Sequence, residues 1–133
     1  MKRRRPEDAL QRSVMQLLRI YEQQSRCYAF AVPNGGARSK TEAAIMKGLG
    51  VRAGVTDIVL MAPNRRNVFF LELKAPGRKA SEAQRAFIAI AELCGHDCFV
   101  GDDFDAVRAA VDAWLAGDRV PRVNLAAARD VRA

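Results

Sequence analysis

Two short apolar runs each carry an acid where an acid is costly. The first is Gly54-Val55-Thr56-Asp57-Ile58-Val59-Leu60, and the second is Phe69-Phe70-Leu71-Glu72-Leu73-Lys74. Read as strands, the second run points Phe70, Glu72 and Lys74 to one face, and Leu71 and Leu73 to the other. Glu72 and Lys74 then lie roughly 6–7 Å apart along the strand. If the two runs pair antiparallel, Asp57 comes close to the end that bears Glu72 and Lys74. Two carboxylates and one ammonium in a small space suit phosphodiester cleavage. The carboxylates hold a hard divalent cation, normally Mg²⁺ with Mn²⁺ as a substitute, which keeps several waters. The ion polarises the phosphate and lowers the pKa of water. Lys74 can orient that water and stabilise the developing charge. The plainer reading is a strand ion pair between Glu72 and Lys74, with Asp57 capping a turn. The apolar context favours a site, because unpaired charge on an interior strand is expensive.

These residues need elements to hold them. Pro6 opens a helix, since its missing N–H has no helical partner at the first turn. Leu10, Val14, Leu17, Leu18 and Tyr21 follow at helical spacing. Cys27 to Val32 reads as a strand, which Pro33-Asn34-Gly35-Gly36 breaks into a loop. Ser39 with Glu42 is a capping box, so a short helix follows from about Lys40 to Lys47. Asp57 to Met61 and Val68 to Lys74 form a hairpin across a polar turn. Ser81 with Gln84 caps a third helix with Phe87, Ile88 and Ala91 on its apolar side. Asp97 to Gly101 is a fourth strand. Asp102 or Asp103 caps a last helix with a Val107, Val111, Trp114 and Leu115 stripe. The order α-β-α-β-β-α-β-α predicts an α/β fold, a mixed sheet of four strands flanked by helices on both faces. One domain spans 6–117, between a basic tail at 1–5 and a weakly structured tail at 118–133.

Several other residues admit two readings. Gln84 completes the capping box of Ser81, a role that needs nothing beyond the helix start. Glu7 favours the positive end of its helix dipole, and lies on the edge of the buried face. Asn34, Gly35 and Gly36 form a turn; with Arg38 and Lys40 close behind, that loop could also lie against a phosphate backbone. Arg78 and Lys79 flank the Glu72 strand, either touching DNA or simply solvated. His96 reads as a surface turn residue rather than a general base, and Trp114 as core.

The chain has 133 residues, 22 of them Lys or Arg against 15 Asp or Glu, for a net charge of +7. Residues 1–52 hold 11 basic and 4 acidic side chains, so the whole excess sits there. A localised basic surface attracts polyanions, nucleic acid above all. Three cysteines, Cys27, Cys94 and Cys98, have no metal-site spacing, and the lone His96 cannot complete one. They read as reduced thiols in a cytoplasmic protein. Neither a signal peptide nor a membrane-spanning run is seen.

Asp57, fourteen intervening residues and then Glu72-Leu73-Lys74 resembles the PD-(D/E)XK nuclease signature. Within that superfamily the chain resembles the VRR-NUC domain. The resemblance rests on Glu7 with Gln11, Pro33 to Gly36, the run Gly50 to Asp57, Glu72 to Lys74, and Ser81 to Gln84, and covers about residues 7–115. It implies a restriction-endonuclease-like fold. Asp57 and Glu72 would bind metal with the backbone carbonyl of Leu73, and Lys74 would be the catalytic lysine. Glu7 would support the site from the first helix, and Gln84 would complete it. Thr56 departs from the family's usual proline before the acid. The activity implied is metal-dependent endonucleolytic cleavage of DNA that leaves a 5′-phosphate. The substrate implied is branched DNA, Holliday junctions included, with a homodimer supplying two active sites. Two other classes stand beside it. One is a non-catalytic nucleic-acid-binding module on the same fold, which the presence of all three core residues disfavours. The other is a neutralising partner protein, which the basic N-terminal part disfavours.

Overall fold

A computed structural model describes residues 6–33 and 39–125. Helix α1 spans Pro6–Gln23, strand β1 Tyr28–Ala31, and helix α2 Lys40–Gly48. Strands β2 and β3 span Ile58–Met61 and Phe69–Leu73, followed by α3 at Glu82–Leu93, β4 at Asp97–Gly101 and α4 at Phe104–Leu115. The element order matches the sequence reading, with strand ends trimmed by a residue or two.

The sheet runs β1-β2-β3-β4 in space. The first two pairings are antiparallel, and β4 joins β3 in parallel. That last pairing needs a crossover, and α3 supplies it. One sheet face carries Ala29, Ile58, Leu60, Phe69, Leu71 and Leu73. It packs against Val14, Leu18 and Tyr21 of α1, and Val107, Val111 and Trp114 of α4. The other face packs Cys98 under Ile88 and Ala91 of α3, with Phe70, Phe87 and Val100 around them. Helices thus cover both faces, and β2 and β3 are buried on both sides, with Glu72 among the apolar residues of β3. The alternation seen in the edge strand β1, where only Ala29 is buried, does not recur there.

The caps stand where the sequence puts them. Ser39 accepts from Glu42 N, Ser81 from Gln84 N, and Asp103 from Ala106 N. After α4 no helix or strand follows among the described residues. Val120 is nonetheless buried in the larger core, and Val123 and Leu125 pack on the smaller one. No described helix is long and apolar enough to cross a membrane. Cys27, Cys94 and Cys98 are free thiols.

Candidate active site

Register brings the acids together. Ile58 pairs with Leu71, so Asp57, one residue earlier, falls opposite Glu72. The Asp57 carbonyl accepts from Val32 N at 2.8 Å, which anchors it to the chain leaving β1. Its side chain turns to β3, where Oδ2 accepts from Leu73 N at 2.8 Å. On β3, Lys74 Nζ lies 3.1 Å from Glu72 Oε2. Lys74 is held from behind, because its N–H donates to the Gly101 carbonyl at the end of β4.

Gln84 has both of the roles that the sequence leaves open. Its Oε1 accepts from Ser81 N at 2.8 Å, closing the capping box. Its Nε2 donates to Glu72 Oε2 at 2.8 Å. The Ser81 N–H can only donate, so Oε1 must face it and Nε2 must face Glu72. The cap therefore fixes which end of the amide reaches the acid.

Glu72 is only 2 % exposed. Oε2 is shared by Lys74 and Gln84, while Oε1 is buried with no hydrogen-bond partner among the described residues. An orphaned carboxylate oxygen is costly in a protein interior. Burial pushes the Glu72 pKa up to about 7, and the neighbouring Asp57 charge adds to the rise, against the pull of Lys74 and, more weakly, of the Asp57 backbone N–H. The Asp57 pKa is also raised, by burial first; the Leu73 N–H and Lys74 oppose this, and the Glu7 charge reinforces it. Glu7, half-buried at the start of α1, is thus near enough for Asp57 to feel it.

Two hard-oxygen carboxylates facing each other are the side chains here that could hold a divalent cation. Among the described residues no group of three His, Cys, Asp or Glu side chains forms a metal cage. Glu7 acts on the pair through its charge, which raises the Asp57 pKa. The structure gathers Asp57, Glu72, Lys74 and Gln84 directly. Arg78 and Lys79 lie exposed on the connection from β3 to α3, and Lys40 is exposed at the start of α2. Asn34, Gly35, Gly36 and Arg38 fall outside the described residues. Thr56 is fully buried where the family's proline would stand.

Two features escaped the sequence reading. Gly54 has φ +89, and a Cβ there would stand 2.4 Å from the Ala83 carbonyl oxygen and 2.9 Å from Gln84 N. The loop carrying Asp57 therefore closes directly onto the turn carrying Gln84. The run Gly50 to Asp57 contains that glycine, but nothing local in it announces a contact with Ala83. His96 is the second: its Nδ1 accepts from Val68 N at 3.0 Å, and its ring meets Phe70 edge-on. It ties the start of β3 in place instead of lying free on a turn.

A mixed four-stranded sheet with helices on both faces, and with Asp57, Glu72 and Lys74 gathered at one end, defines a nuclease-type α/β domain. The VRR-NUC domain model matches residues 5–102. The chain belongs to that family, within the PD-(D/E)XK superfamily. A solved structure described as a VRR_NUC domain protein superposes with a TM-score of 0.67. It is 21% identical, and the match covers 92% of this chain and 98% of that chain. At that identity the likeness speaks for the fold. Among curated protein sequences none matches.

Proposed function

We propose that the protein is a metal-dependent endonuclease that hydrolyses DNA phosphodiester bonds. The supporting observation is Glu72: a buried carboxylate that faces a second one, keeps one oxygen orphaned, and has its other oxygen held by Lys74 and Gln84. A structural ion pair has no use for an unpaired buried oxygen, whereas a hard cation does. Two carboxylates and the Leu73 carbonyl suit Mg²⁺, which would keep several waters, and Mn²⁺ substitutes. Bound there, the cation supplies Lewis-acid polarisation of the phosphate and lowers the pKa of water.

The chain's own residues do the rest. Asp57 and Glu72 would hold the cation, and so fix where the scissile phosphate can meet it. Lys74, held between Glu72 and β4, would stabilise negative charge growing on the phosphate oxygens. Gln84 holds the Glu72 carboxylate in one orientation, and Glu7 adds negative potential behind Asp57, which favours the cation. Lys40, Arg78 and Lys79, with the segment Asn34, Gly35, Gly36 and Arg38, contact DNA phosphates. The described chain has no separate base-reading module, so selection rests on DNA shape. Branched DNA, Holliday junctions included, is the proposed substrate. A homodimer would present two sites to a junction. Three free thiols fit a reducing, cytoplasmic setting.

Matched linear, flap, fork and four-way DNA substrates, incubated with Mg²⁺ or Mn²⁺, test this. Cleavage strongest on a branched substrate, leaving 5′-phosphate ends, is the expected outcome. Binding to all four without cleavage under either ion would instead mark a non-catalytic binding module on the same fold.

A further inference from the structure

A groove of about 960 Å³ opens beside the candidate active site. One wall is α2 with the loop after it, through Met46, Lys47, Val51 and Arg52; the other is the first turn of α3, through Ala83 and Gln84. Gln84 links the groove to the chemistry, because the same side chain donates to Glu72. A strand whose scissile phosphate sits at Glu72 therefore has this groove as an adjoining channel.

The lining says what suits it. Lys47 and Arg52 are exposed cations, and no acidic side chain lines the groove among the described residues. Neither cation enters an ion pair among the described residues, so neither charge is already neutralised. Met46 and Val51 add apolar surface of the kind that sugar rings lie against. Nor does core packing explain this wall, for α2 buries no side chain and Val51 is half-exposed. Cations beside aliphatic surface, with no aromatic ring in the lining, suit a phosphodiester backbone better than stacked bases.

We infer that the groove between α2 and the first turn of α3 seats a stretch of one DNA strand next to the scissile phosphate, with Lys47 and Arg52 each contacting a phosphate. This rests on the nuclease reading of Glu72 and extends it to residues that never touch the metal.

The test is DNA binding by the full chain, followed by fluorescence anisotropy of a labelled four-way junction in EDTA over a series of salt concentrations. Lys47→Ala with Arg52→Ala is compared with wild type, and with Arg66→Ala plus Arg108→Ala, which remove the same charge away from the groove. Loss of two phosphate contacts should make the slope of log K against log salt shallower by about two and weaken binding about tenfold. The control pair should change the slope by less than half as much. Thermal melting of both double variants checks that they fold. An unchanged slope in the groove variant, an equal change in the control, or no junction binding by wild type would overturn the proposal. Wild-type cleavage with Mg²⁺ is measured in parallel. Its absence would remove the nuclease reading, while the slope would still decide whether DNA lies in the groove.

Discussion

Gln84 uses its two amide atoms in opposite directions, and that makes it separable by mutation. Oε1 caps α3 through Ser81, and Nε2 orients Glu72. Glutamate fills a capping box as well as glutamine does. Gln84→Glu should therefore leave the helix nearly as stable, while replacing the donor to Glu72 with a third carboxylate. Cleavage should fall about ten- to a hundredfold, the usual cost of losing a partner that orients a metal ligand, and the added like charge beside buried Glu72 should lower the melting temperature as well. Single-turnover rates beside thermal melts check this. A Gln84→Glu protein that cuts at the wild-type rate would confine Gln84 to capping. Ser81→Ala complements it, since losing the cap should cost about 1 kcal/mol.

Among the elements, the loop before β2 is the tightest joint at the site. Gly54 needs its positive φ and its missing Cβ together, because the Ala83 carbonyl leaves no room for one. Gly54→Ala should push apart the loop carrying Asp57 and the turn carrying Gln84, costing about 1–3 kcal/mol and most of the cleavage. Gly48 makes the control: a Cβ there meets nothing within 4 Å. Gly48→Ala should be neutral or slightly stabilising, as alanine is the better helix former. Urea unfolding of the two variants checks the contrast, and equal stabilities would remove the clash from the account. The joint also marks what the sequence could and could not show. Strands β2 and β3 were legible because apolar runs bounded by turn residues have few alternatives. The three caps were legible because they are local. Register then followed from the hairpin, and with it Asp57 opposite Glu72. Long-range contacts leave no such trace. Nothing local says that Gly54 meets Ala83, or that Asp97 Oδ2 gathers Asn67 and Arg65 from the β2–β3 turn and Trp114 from α4. Gln84 fell between these cases, its cap legible and its reach to Glu72 visible only once the sheet was assembled.

For the whole molecule, a buried acid at the site ties stability to pH. The folded-state Glu72 pKa is about 7 against an ordinary 4.5. Between those values the folded protein holds a proton that the unfolded chain has released. The stabilisation is therefore fully present below about pH 4.5 and is lost as pH rises through 7. The change is on the order of 3 kcal/mol. The urea midpoint of metal-free protein should accordingly fall from pH 5 to pH 8, and Glu72→Gln should flatten that trend. Mg²⁺ held at the proposed site should restore stability at pH 8, as any ligand of the folded state alone does. A metal-free midpoint that climbs over this range would contradict the burial account of Glu72.

Asp57, Glu72 and Lys74 are proposed to form one hydrolytic site. The most direct measurement is Mg²⁺-dependent cleavage of a four-way junction by wild type, Asp57→Ala and Lys74→Ala, with DNA binding recorded on the same preparations. Wild type should cut, each variant should lose at least about a hundredfold, and binding should stay close to wild type. Variants that bind and still cut at the wild-type rate would contradict it.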